Sequence, residues 1–365
     1  MAAKGNRPIS PHSVYRDLRG ILLKALIYTN PYCLEYLDFP QPAVGEDDVL
    51  VRVKACGICG SDVQGFTGKT GRRIPPLIMG HEAAGIIEDA GKNVRAFQKG
   101  DRVCFDSTVY CNKCGACRNG FYNRCENRQV LGVSTPSFKR HGAFAEYVAV
   151  PSWIVSKIPD DMSFVHAALL EPVSIGMHAA NRAPVSTADT IAVIGAGPIG
   201  LFILQACKLK GARKVIVCDI NEFRLDVAHK LGADKMVNPR ERDIKEAVFK
   251  QTEDKGADVV FEAVGFASTF RDAVSITRTG GHLVVVGNLE SKAEFDLQQF
   301  VARELTFTGS YASCGEFRDC IKLVASGEIN VEPLISDVLP LSDGPRAFDR
   351  LLKREENLLK IVLEP

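Results

Sequence analysis

The chain lacks an apolar run long enough to cross a membrane, and it lacks an excess of charge of either sign. A membrane-spanning helix needs about 20 consecutive apolar residues, and the early run Ile21-Leu22-Leu23 already stops at Lys24. The formal net charge is +1, so no electrostatic argument supports a nucleic-acid or membrane partner. The first residues hold no long apolar core before a cleavage site, so we expect no secretory signal.

The twelve cysteines are expected to be metal ligands and free thiols in a reducing compartment rather than disulfides. We therefore expect a cytoplasmic protein. The length of 365 residues, with 46% apolar and 24% charged residues, predicts a globular chain of two domains, each with its own core. Residues 1 to about 20 are polar and carry Pro8 and Pro11, which predicts a loosely held extension.

A group of potential metal ligands lies between residues 56 and 82. Cys56 and Cys59 form a C-x-x-C pair, and Gly80-His81-Glu82 follows later in the chain. Thiols, imidazoles and carboxyls are the ligands that zinc takes. The cysteine pair alone could be half of a structural zinc knuckle, a redox dithiol or neither. Its spacing from His81-Glu82 is not that of the usual structural zinc sites, which favours an open, catalytic site.

Four further cysteines have the spacing of a closed zinc site, C-x2-C-x2-C-x7-C. Four thiolates arranged in this way can complete a tetrahedral shell and leave no position for a substrate. Four unrelated free cysteines would not be expected at such spacing. The sequence therefore predicts a structural zinc lobe held by Cys111, Cys114, Cys117 and Cys125.

The apolar pattern divides the chain into an all-β part and an α/β part. Short runs such as the alternating residues 48–54 predict strands in the first part. In the second part strands alternate with helices, which predicts a parallel, doubly wound sheet. Gly195-Ala-Gly197-Pro-Ile-Gly200 lies between a buried strand and an apolar helix, and the next strand ends in Asp219. In this setting the glycines predict a dinucleotide site with the phosphates at the helix N-terminus.

The run Gly80-His-Glu-Ala-Ala-Gly85, with Gly91 and Val94 at the expected offsets, resembles the signature of zinc-dependent medium-chain dehydrogenases. The resemblance extends over nearly the whole chain from about Leu22 onward. It implies an α/β protein in which a GroES-like β-barrel forms the catalytic domain. A doubly wound parallel sheet, the Rossmann fold, is then expected to form the cofactor domain.

The resemblance also implies domain boundaries. The GroES-like catalytic domain, with the structural zinc lobe inside it, is expected over residues 21–172. The Rossmann NAD-binding domain is expected over residues 173–311. Residues 312–365 are expected to return and complete the catalytic domain.

The catalytic zinc ligands are implied by the same resemblance. Cys59 and His81 match the family's ligands, and Glu171 stands where many of its alcohol dehydrogenases have a second cysteine. This replacement resembles the sorbitol (polyol) and threonine dehydrogenase branch, where the glutamate holds zinc directly or through a water. Glu82 is an alternative ligand beside His81, and a structural role for Glu171, as a helix cap or an arginine partner, stays open. Ser61 matches the hydroxyl that accepts the substrate's proton, although a simple turn serine would look the same.

Asp62 is expected to accept a hydrogen bond from His81 and fix its ring, but an exposed turn residue is compatible with this position. Gln64 stands where many relatives have a histidine in the proton path. Proton release must then use water, the cofactor ribose or a carboxylate such as Glu171. The segment Tyr311-Ala312-Ser313 replaces the Phe-Arg-Tyr of polyol dehydrogenases, which argues against sorbitol dehydrogenase in the strict sense.

The cofactor residues follow from the glycine motif and the resemblance. Asp219 is expected to accept hydrogen bonds from the adenosine ribose and to repel a 2′-phosphate, which favours NAD unless Arg224 or Arg213 offsets its charge. Arg224 resembles the family's adenosine-contacting arginine, although a solvated helix face is compatible with it. The full predicted set is Gly195, Gly197, Pro198, Ile199, Gly200, Asp219, Arg224, Val286, Gly287, Asn288 and Tyr311.

A basic loop, residues 68–73 with the sequence Gly-Lys-Thr-Gly-Arg-Arg, lies between the two ligand pairs. It could meet an acidic or phosphorylated substrate, but a charge run of this kind is usually a solvated face. His178 lies in an apolar helix, where a hydrogen-bonded core histidine is expected rather than a catalytic one.

The sequence therefore predicts an oxidoreductase with one catalytic and one structural zinc per chain. It is expected to transfer a hydride from a secondary hydroxyl of a polyol or sugar derivative to NAD, giving the ketone. Alternatives are an NAD-dependent dehydrogenase of a 3-hydroxy amino acid such as threonine, and a degenerate protein that merely binds zinc and dinucleotide. The partners expected are a small polyhydroxylated substrate and further copies of the chain, in a dimer or tetramer. Without an aromatic stacking face, the four-cysteine lobe predicts no nucleic-acid partner.

Overall fold

A computed structural model of the chain describes residues 21–355 and 357–365. The extension predicted for residues 1 to about 20 lies outside the described residues. Within the described part, no helix combines the length and the apolar character needed to cross a bilayer.

The described residues form mixed α and β structure. The strands, numbered β1 to β20 in chain order, are Leu22–Asn30, Cys33–Pro40, Asp48–Gly57, Leu77–Ile78, Glu82–Ala90, Arg102–Phe105, Thr108–Val109, Gln129–Val130, Val133–Ser134, Lys139–Arg140, Tyr147–Pro151, Val155–Lys157, Thr190–Ile194, Lys214–Cys218, Lys235–Val237, Ala257–Glu262, Thr277–Val285, Thr306–Gly309, Ile335–Pro340 and Lys360–Glu364. The helices, α1 to α11, are Gly60–Phe66, Gly115–Arg118, Phe164–Ala168, Leu170–Asn181, Pro198–Leu209, Glu222–Lys230, Ile244–Gln251, Ala267–Ile276, Leu297–Ala302, Phe317–Ala325 and Gly344–Leu352. Short 3-10 turns cover Tyr122–Arg124, Ser152–Ile154, Glu332–Leu334 and Leu341–Asp343.

Six strands form the predicted parallel sheet, in the order β15-β14-β13-β16-β17-β18. All five residues of β13 are buried, as expected for a central strand with helices on both faces. The strand order reverses between β13 and β16, and dinucleotides bind in the crevice beyond the carboxyl ends at such a point. This arrangement confirms the doubly wound sheet predicted from the alternation of strands and helices.

Strand β17 is longer than its apolar residues predict. The apolar run at residues 282–286 predicts a strand of that length, whereas the strand begins at Thr277 and ends at Val285. Its first half contains the exposed Thr279 and Gly280, so this half carries no apolar signal. The half that packs into the sheet was the part visible in the sequence.

The all-β part is organised around a sheet with the order β12-β6-β5-β3-β20-β19, in which β11 also pairs with β3. The last strand, β20, joins β3 through the pairs Val362↔Gly57 and Leu363↔Cys56. The end of the chain is therefore hydrogen-bonded beside the segment that leads into Cys59. This pairing explains how residues far apart in sequence build one site.

A single buried cluster of apolar side chains extends across both parts of the protein. It includes Ala84 of β5 as well as Val193 of β13 and Val284 of β17. Helix α4 packs in the same cluster, and it begins at Leu170, before the predicted domain boundary at 172. The two parts therefore share core packing, which holds the crevice of the cofactor sheet against the all-β part.

Candidate metal and dinucleotide sites

Cys59 lies at the junction between strand β3 and helix α1. Its backbone is extended (φ −80°, ψ 148°), and its Sγ accepts a hydrogen bond from the Ser61 N–H at 3.5 Å. Metals bind cysteine in its thiolate form. The Ser61 side chain is exposed beside it.

His81 and Glu82 lie at the start of strand β5. Gly80 precedes them with φ +89°, and a Cβ at Gly80 would lie 2.9 Å from the Cys56 Sγ, so glycine is needed at this position of the motif. One donor atom each from Cys59, His81 and Glu82 lies within 4.8 Å of the others. The structure thus brings Cys59 together with His81 and Glu82, while Cys56 is fully buried and lies outside this set.

Asp62 is a buried carboxylate between two cationic partners. Its Oδ1 accepts a hydrogen bond from Arg73 Nη2 at 2.9 Å, and its Oδ2 lies 3.5 Å from His81 Nδ1. Burial alone would raise the pKa of Asp62, but the positive charges of His81 and Arg73 outweigh it and hold that pKa well below its ordinary value. Contact through Nδ1 leaves Nε2 as the free ring nitrogen, which is the arrangement of a metal-binding histidine oriented by a carboxylate.

Lys360 was missed by sequence reasoning. Its side chain is buried, and Nζ donates to Glu82 Oε1 and Oε2 at 2.8 and 2.6 Å and to the Ile58 carbonyl at 3.0 Å. Burial alone would lower the pKa of Lys360, but the negative charges of Glu82 and Cys59 raise it above the ordinary value. A lone lysine at the start of the apolar run Lys360-Ile-Val-Leu was the available signal.

Glu171 lies in the first turn of helix α4 and is buried. Burial raises the pKa of Glu171 to about 7. The positive charge of His81 opposes this rise, and the negative charge of Glu82 adds to it. Helix α4 contacts strand β5, so Glu171 lies on an element next to the strand that begins with Glu82. Its carboxyl oxygens are nevertheless not part of the donor group within 4.8 Å, which consists of Cys59, His81 and Glu82.

The donor chemistry fits zinc. Open catalytic zinc sites bind the ion through three protein ligands drawn from thiolate, imidazole and carboxylate, and they keep a fourth position free. Cys59, His81 and one carboxylate meet this requirement, and Asp62 supplies the expected partner for the histidine. Either Glu82 or Glu171 can be the carboxylate.

The four cysteines of the predicted lobe also converge. Their Sγ atoms all lie within 4.8 Å of one another, with Cys114 3.5 Å from Cys117 and 3.9 Å from Cys125. Sulfurs bound to one zinc at about 2.3 Å in a tetrahedron stand about 3.8 Å apart. The N–H groups of Lys113 and Cys114 lower the pKa of Cys111 to about 6, which favours a thiolate. The arrangement fits a closed, four-thiolate zinc site.

The glycine motif makes a tight turn at the end of β13. Gly195 has φ +101°, and a Cβ at Gly200 would lie 1.7 Å from the Gly195 carbonyl oxygen. A Cβ at Gly197 would meet nothing within 4 Å, so this glycine faces open space. Helix α5 begins at Pro198 with Gly197 as its cap, so Ile199 and Gly200 lie in its first turn. This open helix start fits a dinucleotide's pyrophosphate.

Asp219 follows strand β14 and accepts hydrogen bonds from the Ala196 and Asn221 N–H groups at 2.7 and 2.9 Å. Arg224 lies in the helix that follows, and its buried Nε has no hydrogen-bond partner among the described residues. Arg213 precedes the same strand and bonds to Thr190 Oγ1 and the Ala188 carbonyl. It therefore lies at the opposite end of β14, and the expectation that it could offset the charge of Asp219 is wrong.

Val286, Gly287 and Asn288 directly follow β17, at the carboxyl edge of the sheet. The Val286 and Gly287 N–H groups donate to the Glu262 carbonyl at 2.9 and 3.0 Å. A Cβ at Gly287 would lie 2.2 Å from the Gly265 nitrogen, so two backbones pass each other closely here. Sequence reasoning missed Glu262, whose buried side chain accepts from the N–H groups of the Gly265 turn.

Tyr311 follows β18 at the same edge. Its hydroxyl accepts hydrogen bonds from Arg72 Nη2 at 2.9 Å and Arg128 Nη2 at 3.0 Å, and its carbonyl accepts from Asn123 at 2.9 Å. The two arginines of the basic loop therefore have different partners: Arg73 is buried against Asp62, whereas Arg72 contacts Tyr311.

His178 is buried, and its ring is hydrogen-bonded to Glu316 at 2.8 Å, as expected for a core histidine.

Replacing Lys360 tests the buried ion pair. Lys360→Met leaves the Glu82 carboxylate buried without its partner, so we expect the free energy of unfolding to fall by about 3–5 kcal/mol. Urea denaturation of the zinc-loaded protein measures the change. Restoring charge balance with Glu82→Gln in the same chain should recover part of the loss.

The matched control is Lys157→Met. It removes a half-exposed lysine paired with Asp101 at 2.7 Å, a surface pair for which about 1 kcal/mol or less is expected. A Lys360→Met variant no less stable than this control would show that the Glu82 pair does not stabilise the fold.

Comparison with known proteins agrees with these sites. Residues 45–160 match the alcohol dehydrogenase GroES-like domain, and residues 198–326 match the zinc-binding dehydrogenase family. A sorbitol dehydrogenase of Bacillus subtilis (strain 168) is 37% identical over 94% of this chain and 97% of its own length. An L-idonate 5-dehydrogenase of Vitis vinifera is 37% identical over 88% of this chain and 89% of its own.

Among solved structures, a zinc-binding dehydrogenase of Sinorhizobium meliloti 1021 bound to NADP is 31% identical, with a TM-score of 0.86 over 94% of this chain and 100% of that one. The predicted fold class, a GroES-like barrel joined to a Rossmann domain, is thereby confirmed. The family depends on zinc and a nicotinamide dinucleotide, and the metal and dinucleotide sites described above fit these cofactors. The chain belongs to the zinc-dependent medium-chain dehydrogenases, within their sorbitol dehydrogenase-like branch.

Proposed function

We propose that this dehydrogenase oxidises a secondary hydroxyl of a polyol or sugar derivative to the ketone and transfers the hydride to NAD. The observation that carries the proposal is the convergence of Cys59, His81 and Glu82, with the buried Glu171 on the neighbouring helix α4. The similarity to a sorbitol dehydrogenase and an L-idonate 5-dehydrogenase supports it. The domain boundaries at 172 and 311 are part of the same proposal.

Each side chain has a separate task in this proposal. A zinc ion, when bound, lowers the pKa of a substrate hydroxyl, and the nicotinamide accepts the hydride. Cys59 and His81 hold the metal with Glu171 or Glu82, while Asp62 orients the His81 ring. These residues position the reacting hydroxyl at the carboxyl edge of the cofactor sheet.

Ser61 takes up the substrate's proton. Its hydroxyl is exposed and accepts a hydrogen bond from Arg73 Nη2 at 3.4 Å. A hydroxyl has two acceptor lone pairs and one donor proton, so Ser61 can accept one proton while releasing its own. Gln64 is exposed in the same helix and cannot titrate, so the proton continues to water or to the cofactor ribose.

The proposal extends to assembly and place of action. Strand β18 is an edge of the six-stranded sheet, and Leu289, Leu297 and Val301 are exposed near it in sequence. Exposed apolar residues beside an unpaired strand edge support association of identical chains. We place the protein in the cytoplasm as a dimer or tetramer, which sedimentation velocity would measure.

A substrate screen tests the proposal directly. We expect NAD reduction with members of a set containing sorbitol, xylitol, inositols, sugar acids and sugar phosphates, and much weaker reduction with ethanol, because a polar site discriminates against substrates that leave its groups unpaired. The absorbance of NADH measures turnover. Turnover of simple alcohols with none of the polyhydroxylated set would refute the proposal, and turnover of threonine alone would assign a 3-hydroxy amino acid dehydrogenase instead.

Metal analysis tests the two zinc sites. We expect about two zinc ions per chain in the native protein and about one in Cys59→Ala, which should stay folded and lose turnover. Cys117→Ala should lose the other ion together with stability, because closed sites contribute to folding. Cys56→Ala is the matched control and should retain both ions. Two zincs and normal turnover in Cys59→Ala would contradict the assignment.

Cofactor choice tests Asp219. We expect kcat/KM to favour NAD over NADP, since a carboxylate near a 2′-phosphate costs about 1 to several kcal/mol. Asp219→Asn should lower the ratio of the two efficiencies by about tenfold or more, whereas Asp226→Asn, an exposed site on the following helix, should leave it unchanged. Equal efficiencies in the native protein would mean that Arg224 offsets the acid.

A further inference from the structure

Two guanidinium groups meet at one phenol on the edge of the candidate active site. Arg72 and Arg128 donate to the Tyr311 hydroxyl at 2.9 and 3.0 Å, and the Arg128 guanidinium also lies 4.3 Å from the Tyr311 ring centre. The three residues come from different parts of the chain: the loop between the ligand pairs, the segment after the four-cysteine lobe and the end of strand β18. Folding therefore assembles this cluster.

The cluster carries positive charge that no carboxylate balances. Among the described residues, neither Arg72 nor Arg128 forms an ion pair, and the buried Arg128 Nη1 has no hydrogen-bond partner. The carboxylates near the Tyr311 segment are already engaged, since Glu316 accepts from the Cys314 N–H and Asp106 accepts from Ser313. A buried donor without an acceptor is costly.

The pKa of Tyr311 reflects the same excess of positive charge. Burial alone would raise the pKa of Tyr311, but the hydrogen bond from Arg72 and the charge of Arg128 outweigh it and lower that pKa below its ordinary value. A neutral phenol offers the two cations lone pairs but no charge. An anion in contact with both guanidiniums would satisfy the free donor and balance the charge.

Neighbouring contacts link the cluster to the reacting groups. Arg72 precedes Arg73, whose guanidinium contacts Ser61 Oγ at 3.4 Å and Asp62 at 2.9 Å. Tyr311 lies at the carboxyl edge of the cofactor sheet, directly after β18 and Ser310. The cluster is thus joined through Arg73 to the Ser61 hydroxyl, and Tyr311 places it at the sheet edge that carries the dinucleotide crevice.

We propose that Arg72 and Arg128 bind an anionic group, a carboxylate or a phosphate monoester, carried by the polyhydroxylated substrate. The proposal rests on the proposed function, because it assigns a substrate class to the same site. Tyr311 holds the two guanidiniums together and marks where the anion docks. The basic loop contributes through Arg72, which contacts Tyr311, whereas Arg73 is paired with Asp62.

The test compares neutral and anionic substrates on the zinc-loaded, full-length enzyme with saturating NAD. Sorbitol is the neutral substrate, and sorbitol 6-phosphate and a hexonate are the two anionic ones. We expect the native enzyme to favour at least one anionic substrate over sorbitol. Arg72→Gln and Arg128→Gln should each lower the ratio of anionic to neutral kcat/KM by about tenfold to a hundredfold, mainly through KM, because each removes a charge-assisted hydrogen bond.

Two further variants separate binding from folding. Lys69→Gln removes an exposed charge of the same loop and should leave the ratio unchanged. Arg128→Lys keeps the charge but not the planar fork, so its ratio should fall between those of the native enzyme and Arg128→Gln. Zinc content and thermal unfolding confirm that each variant is intact. Inorganic phosphate, titrated calorimetrically into the NAD-saturated enzyme, should bind more weakly to Arg72→Gln than to Lys69→Gln.

The outcomes are distinct. A loss confined to sorbitol 6-phosphate identifies a phosphate site, and a loss confined to the hexonate identifies a carboxylate site. Unchanged ratios in intact Arg72→Gln and Arg128→Gln, with sorbitol still oxidised, would overturn this inference and leave the proposed function standing. No turnover of any member of the polyhydroxylated set by the native enzyme would overturn the proposed function itself.

Discussion

The buried ion pair between Glu82 and Lys360 fixes the geometry on which the candidate metal site depends. Lys360 belongs to the last strand, Glu82 begins the strand next to His81, and the same ammonium group bonds to the Ile58 carbonyl beside Cys59. One cation thus ties the two ligand-bearing segments to the end of the chain. It also offsets part of the negative charge that a thiolate and two carboxylates bring together, which an apolar surrounding could not tolerate.

The sequence could predict those parts of the protein whose residues are close together in the chain. The parallel sheet, the glycine turn and the four-cysteine lobe each follow a local pattern, and the structure places them as predicted. Lys360 and the Arg72–Tyr311–Arg128 cluster could not be found in this way, because their partners lie 278, 239 and 183 positions away. Nothing in the local pattern says that such residues meet, since that depends on how the two parts pack.

Adjacent residues of like chemistry show the same limit. Arg72 and Arg73 are indistinguishable within the basic loop, yet Arg73 is buried against Asp62 and Arg72 reaches Tyr311. The buried Asp62 carboxylate accepts a hydrogen bond from Arg73, so it is Arg73 that turns inward. Likewise, the sequence left Asp62 open between a turn residue and a partner for His81, and its complete burial at 0% exposure favours the second, because a buried carboxylate needs cationic or donor partners.

Charge is thus distributed unevenly across the candidate active site. On the metal side, Lys360 and Arg73 are each paired with a buried carboxylate, so neither cation is without an anionic partner. At the edge of the cofactor sheet, Arg72 and Arg128 both donate to the Tyr311 hydroxyl, and the Arg128 Nη1 donor has no hydrogen-bond partner among the described residues. A substrate whose reacting hydroxyl lies at the metal side and whose anionic group lies at Arg72 and Arg128 would be bound in a single orientation. The spacing between the two sides then selects which of several chemically equivalent hydroxyls is oxidised, because both ends of the substrate must be in contact at once.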